Sequence, residues 1–182
     1  MEKTPVNIPN LLTLSRILAV PVFIVLLHDP TPLRALAGGI VFSLASATDW
    51  LDGYLARKWG QVTKIGKLLD PIADKILVTA ALVILVKMEL VADWIAIVII
   101  GREFAVTGLR AIAASDGIVI PAETVGKYKV GAQIAAVLSL ILDYHLGTGW
   151  LTETGIVIIW IAMVLAVYSG VQYFAKYGKR LQ

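Results

Sequence analysis

Cysteine is absent from this chain of 182 residues, and histidine occurs only at His28 and His145. The first absence excludes disulfides, thiolate zinc sites and cysteine nucleophiles, and it leaves the redox compartment unread. Charge is scarce as well, with Asp, Glu, Lys and Arg at 16% of residues against about 25% in an ordinary soluble domain. No short apolar start is followed by a soluble body, so no cleaved leader is expected. What fills the chain instead is hydrocarbon. Hydrophobic residues make up 58% and the mean hydropathy is +0.82, a composition that marks an integral membrane protein.

Six segments are apolar enough to span, at 10–28, 34–56, 69–87, 91–114, 125–146 and 151–176, separated by short links containing Pro, Gly or charge. A backbone in lipid must satisfy its own hydrogen bonds, so the expected fold is all-α: one domain, 1–182, built as a bundle of six transmembrane helices. An amphipathic start, Met1 to Pro9, is expected to lie along the interface. Six spans put both termini on one side. That side gathers Lys3, Arg16, Arg57, Lys58, Lys64, Lys67, Lys75, Arg102, Arg110, Lys127, Lys129, Lys176, Lys179 and Arg180, whereas the other keeps only Arg34 and Lys87. Basic residues favour the cytoplasmic flank, so both termini are expected there. His28 and His145 fall on the far side and read as structural. The net charge of +3 is modest, and no nucleic acid is expected as a partner.

Against this background stand Asp49 and Asp52 in DWLDGYLAR, then Asp70 and Asp74 in GKLLDPIAD. An ionisable group carried into the bilayer costs on the order of 3 kcal/mol even on lenient insertion scales, so a cluster marks a functional site. Spacings of three and four residues put each pair on one helix face, and two such faces can converge. Their mutual repulsion then calls for a divalent cation. Oxygen ligands with no His or Cys nearby favour Mg²⁺ or Mn²⁺, two ions suit four acids, and the implied substrate is a phosphate ester or pyrophosphate. Gly53 and Ala56 leave a shallow strip on the same face, where a substrate can approach the backbone. Gly66, the Thr63 hydroxyl and the fixed charge of Arg57 complete the surface. A cation transporter would need polar residues across the whole bilayer, but Ile76 to Val86 is almost wholly apolar, which leaves the acids on one side.

The pattern Asp49-x-x-Asp52-Gly53-x-x-Ala56-Arg57, eight residues, then Gly66-x-x-x-Asp70-x-x-x-Asp74 resembles the complete signature of the CDP-alcohol phosphotransferases. The resemblance implies a six-helix membrane fold, usually a homodimer, with a two-metal site at the cytoplasmic surface. It also implies displacement of CMP from a CDP-linked donor by an alcohol. Carried onto this sequence, it implies that Asp49 and Asp70 bridge both metals and Asp52 holds one. Asp74 would hold the other and accept the proton. Gly53, Arg57 and Thr63 would contact the CDP moiety, with Ala56 and Gly66 lining the same surface. The stretch Pro9-Asn10-Leu11-Leu12-Thr13-Leu14-Ser15-Arg16 is similar to the family's entry segment, which implies nucleotide contacts from Asn10 and Thr13. Asn10 also has the chemistry of a helix cap.

A second basic group narrows the acceptor. Arg102 and Arg110, eight residues apart, lie near one face of the fourth span, and Lys127 and Lys129 open the fifth. Meeting near the aspartates, they would hold the phosphate of a phosphorylated alcohol. Arg102 lies within the apolar run IVIIGREFAV, which sets it apart from a flanking anchor, and Glu103 reads as the partner of a neighbouring arginine. The segments IIGREFAVTGLR and GKYKVGAQ are similar to those of bacterial family members that use sn-glycerol 3-phosphate. That likeness implies CDP-diacylglycerol as donor, phosphatidylglycerophosphate and CMP as products, and the bacterial cell (inner) membrane as location. Val130 stands where such relatives often carry Thr, which argues against a hydroxyl contact there. Inositol phosphate, serine or a lipid alcohol is the alternative acceptor.

Overall fold

The computed structural model describes residues 8–59, 64–115, 117, 120 and 124–178. The side chains of residues 8–10, 49–59, 64–71, 74, 124–125 and 127 lie outside the described residues. Among the described residues there are six helices and no strand: α1 (Ile8–His28), α2 (Pro32–Trp59), α3 (Lys64–Lys87), α4 (Asp93–Ser115), α5 (Thr124–Leu146) and α6 (Trp150–Tyr177). Each overlaps one of the expected apolar segments, α4 starts two residues later than expected, and α2 and α3 run about a turn further toward the link between them. Because α1 begins at Ile8, Asn10 falls inside the first turn and is not the residue that caps it. Pro9 suits that turn, whose N–H groups have no helical partner. Of the expected interfacial segment, residues 1–7 lie outside the described residues.

Among the described residues, two helices carry windows long and apolar enough to cross a membrane, Leu11–His28 with mean hydropathy 2.1 and Trp150–Tyr177 with 2.2. Lys75, Arg102 and Lys129 put charge inside the apolar stretches of α3 to α5. The outer faces are nonetheless oily: Leu18, Val25, Leu44, Val83, Ile97, Val164 and Val171 are all more than half exposed. A soluble monomer rarely displays so much contiguous apolar surface. This is a membrane protein.

Inside, Phe23, Leu27, Phe42, Leu82, Leu85, Ile99, Leu140 and Ile141 are fully buried in one core. α1 packs on α2 and α3, α2 on α5, α3 on α4, and α6 on both α4 and α5. Helices meet closely where a side chain is missing. A Cβ at Gly155 of α6 would stand 2.8 Å from Leu140 Cγ and 3.3 Å from the Leu140 backbone nitrogen, so that residue lets α6 lie against α5.

The ends of α1, α3 and α5 meet the starts of α2 and α6, which makes successive helices antiparallel. The Lys87 ammonium donates to His28 O, the Tyr144 hydroxyl to Pro30 O at 3.2 Å, and His145 Nδ1 lies 2.9 Å from Pro32 O. Asp143, 5% exposed, accepts from the backbone nitrogens of Thr148 (3.2 Å), Gly149 (3.0 Å) and Thr152 (3.3 Å). Both threonine hydroxyls add to these. The carboxylate thus satisfies donors that the first turn of α6 leaves open, where negative charge is also favoured by the helix dipole. The turn between the two helices uses Gly147 and Gly149 at φ 64° and 78°, a left-handed conformation that glycine adopts without strain.

Candidate active site

Asp49 and Asp52 lie in the last three turns of α2, and Asp70 and Asp74 in the first three turns of α3. At about 1.5 Å per residue, Asp52 and Asp70 sit roughly 10 Å from the helix ends that adjoin the link 60–63. Asp49 and Asp74 sit about 15 Å from them. The two helices pack against each other, so the pairs occupy matched heights on neighbouring rods. Their side chains lie outside the described residues, as do those of Asn10, Ala56, Arg57 and Lys127, the surroundings of Gly53 and Gly66, and Thr63 altogether. A donor set of carboxylates alone fits a hard divalent ion such as Mg²⁺ or Mn²⁺.

Beside this region α1 buries two polar residues. Thr13 and Arg16 are each 1% exposed. Arg16 Nε donates to Ala45 O at 3.2 Å, and the same carbonyl accepts from Thr48 Oγ1 at 2.8 Å. A permanently charged guanidinium is therefore held between α1 and α2, one turn before Asp49. Its sequence position reads only as one more basic residue near a helix end. The contact that buries it joins residues 29 apart, which no local pattern announces.

A second polar group joins four helices. Arg102 of α4 donates from Nε to Ala166 O (2.9 Å) and from Nη2 to Ser169 Oγ (2.6 Å), both on α6. Its Nη1 reaches Glu103 Oε1 at 3.0 Å. Gly170 gives its stem room, since a Cβ there would stand 3.1 Å from Arg102 Cγ. Lys129 of α5, 3% exposed, donates to the same Glu103 oxygen. From α3, the Lys75 ammonium donates to Thr107 Oγ1, whose hydroxyl donates to Glu103 O at 2.7 Å. Arg102 and Lys129 thus come together as the sequence suggests. Arg110 does not join them: it is exposed, about 12 Å further along α4, and donates to Ile120 O at 3.3 Å. Serine 169 and Lys75 carry no sequence signal for their place in this group, because both enter it through contacts between distant segments.

Between α1, α3 and α4 lies a cavity of about 590 Å³, lined by apolar residues such as Val20, Ile24, Ile76 and Val83. Its polar lining comes from Lys75, Thr79 and Thr107. Lys75 directly follows Asp74, so an oily space with a cationic end opens beside the aspartate-bearing part of α3.

Residues 6–168 match the family model for CDP-alcohol phosphatidyltransferase. The chain belongs to that family. Dependence on a divalent metal is general among CDP-alcohol phosphatidyltransferases. The chain is 44% identical, over 97% of its own length and 97% of the relative's, to the CDP-diacylglycerol–glycerol-3-phosphate 3-phosphatidyltransferase of Bacillus subtilis (strain 168). Enzymes of the same name from Rickettsia bellii (strain RML369-C) and Escherichia coli (strain K12) are 41% and 36% identical. They cover 92% and 93% of this chain, and 93% of each relative is matched. The aspartates, Arg102 and Lys129 of this phosphatidyltransferase all fall within the matched region.

Proposed function

We propose that the chain transfers the phosphatidyl group of CDP-diacylglycerol to sn-glycerol 3-phosphate, giving phosphatidylglycerophosphate and CMP in phospholipid biosynthesis. The observation that carries the reading is the Lys75–Thr107 contact, which ties the polar turn of α4 to the residue following Asp74. This supports a cationic group and a carboxylate group that act on one substrate pair. The shared name of the relatives supports the same donor and acceptor.

In this reading the acceptor hydroxyl attacks the β-phosphorus of the donor. The new oxygen–phosphorus bond forms as the bond to CMP breaks, CMP leaves with the electron pair, and Asp74 takes the hydroxyl proton. Asp49, Asp52, Asp70 and Asp74 would hold two ions, Mg²⁺ or Mn²⁺, which supply charge neutralisation at the diphosphate. Asn10, Thr13, Gly53, Ala56, Arg57, Thr63 and Gly66 receive the CDP moiety. Arg102, Lys127 and Lys129 receive the acceptor's phosphate, Arg102 with the two N–H donors that remain of its five, while Arg110 stands two turns further along α4. The apolar cavity beside α3 is of a size that ligand pockets commonly have, and its lining suits a lipid chain. All six helices span, both termini and the site face the cytoplasm, and the protein is a homodimer in the bacterial cell membrane.

The test is CMP release from CDP-diacylglycerol by purified protein offered sn-glycerol 3-phosphate, inositol phosphate, serine or a lipid alcohol. Release with sn-glycerol 3-phosphate alone is expected. Faster release with another acceptor would replace the acceptor while keeping the chemistry.

A further inference from the structure

Glu103 does more than pair with the arginine next to it. Its Oε1 accepts from Arg102 Nη1 on its own helix and from the Lys129 ammonium on α5. The arginine is fixed independently, because Nε and Nη2 are tied to the Ala166 carbonyl and the Ser169 hydroxyl of α6. Lys129 is different in kind: a compact ammonium on a flexible four-carbon stem, which takes its direction from what it pairs with. A sequence of contacts therefore runs from the α6 backbone through Arg102 and Glu103 to Lys129.

Glu103 also lines a space of about 20 Å³ with Lys75, Thr79, Val130 and Gln133. Gln133 is 2% exposed, and its Nε2 has no hydrogen-bond partner among the described residues. The glutamate thus faces the gap between α3 and α5, toward the residue that follows Asp74. A carboxylate beside a phosphate-binding lysine repels the phosphate. Its presence is explained if the placement that it imposes on the lysine outweighs that repulsion.

We propose that Glu103 is a positioning residue for the acceptor: oriented by Arg102, it sets the Lys129 ammonium where it meets the acceptor's phosphate. The inference rests on the acceptor pocket described above, and the experiment separates the two. CMP release is measured against sn-glycerol 3-phosphate, and separately against CDP-diacylglycerol, for Glu103→Gln, Glu103→Asp, Lys129→Gln and the Glu103→Gln/Lys129→Gln double variant. Glu103→Gln is expected to raise the KM for sn-glycerol 3-phosphate by about tenfold or more, with the KM for CDP-diacylglycerol unchanged. The double variant should be no worse than Lys129→Gln, because the glutamate acts through the lysine. Glu103→Asp, which keeps the charge on a shorter stem, should lie between parent and Glu103→Gln. An unchanged or lowered KM for sn-glycerol 3-phosphate in Glu103→Gln, with Lys129→Gln impaired, overturns the positioning role. A parental KM in Lys129→Gln overturns the pocket itself and the inference with it. Where Glu103→Gln does not fold, Glu103→Asp decides: a raised KM at parental thermal stability is expected, and a parental KM overturns the proposal.

Discussion

At the end of the bundle near His28 and His145, polar side chains finish largely on backbone; around Glu103 they finish largely on one another. Lys87, Tyr144, His145 and Arg34 each meet a main-chain carbonyl of a neighbouring segment, and Asp143 gathers the donors of a single turn. Such contacts join helices and leave little charge for a ligand. In the other region Arg102, Lys129 and Lys75 converge on Glu103 and Thr107, in an apolar interior where charge is costly to keep. Ion pairs buried in this way are poor evidence of stabilisation, since apolar residues of similar size often serve stability as well. The difference separates a device for holding helices from one suited to handling anions.

The largest expected effect falls on activity. Chelating divalent ions, or replacing Asp70 by Asn, should cut CMP release by on the order of 10³-fold, because several kcal/mol of charge stabilisation would be lost. Full turnover in metal-free buffer would remove the catalytic half of the contrast. At the opposite end, Asp143→Ala should lower the Tm of the detergent-solubilised protein by several degrees and leave both KM values alone. A shifted KM would mean that the two ends are coupled. Gly155→Ala should cost about 1–3 kcal/mol, since Leu140 must yield and its backbone nitrogen cannot; a Tm equal to the parent's would show that α5 and α6 part easily. Ser169→Ala removes one of the anchors of Arg102 and should cost about 1 kcal/mol. It should also raise the KM for sn-glycerol 3-phosphate, by less than Glu103→Gln does. Smallest of all, His145→Gln should change stability by no more than about 0.5 kcal/mol with parental kinetics, and any loss of turnover there would contradict a structural role.

Much of the fold can be read from residue order because lipid leaves few choices. Apolar runs near 20 residues long, broken by Pro, Gly and charge, become helices wherever they occur, and α3 to α6 begin and end within a few residues of those breaks. The acid pairs are legible for the same reason, as spacings of three and four within one helix. What residue order conceals is which faces meet. Arg102 and Arg110 share a face by spacing, yet only Arg102 shares the Glu103 carboxylate with Lys129, because two turns of helix separate the arginines. Glu103 reads locally as a partner of its neighbour, whereas its bond to Lys129 spans 26 residues. Arg16 is hidden in the same way, buried by a carbonyl of another helix.

Asp143 also bears on how the chain enters the bilayer during synthesis. Its donors, at Thr148, Gly149 and Thr152, all come later in the chain than the carboxylate itself. Were α5 to cross by itself, it would have to carry that carboxylate through hydrocarbon with no partner. In the proposed six-span arrangement, α5 entering together with α6 would carry the carboxylate with its hydrogen bonds already made, so the two helices would form one insertion unit. A chain ended at Leu146 should therefore leave α5 poorly inserted, whereas one continued through Tyr177 should not.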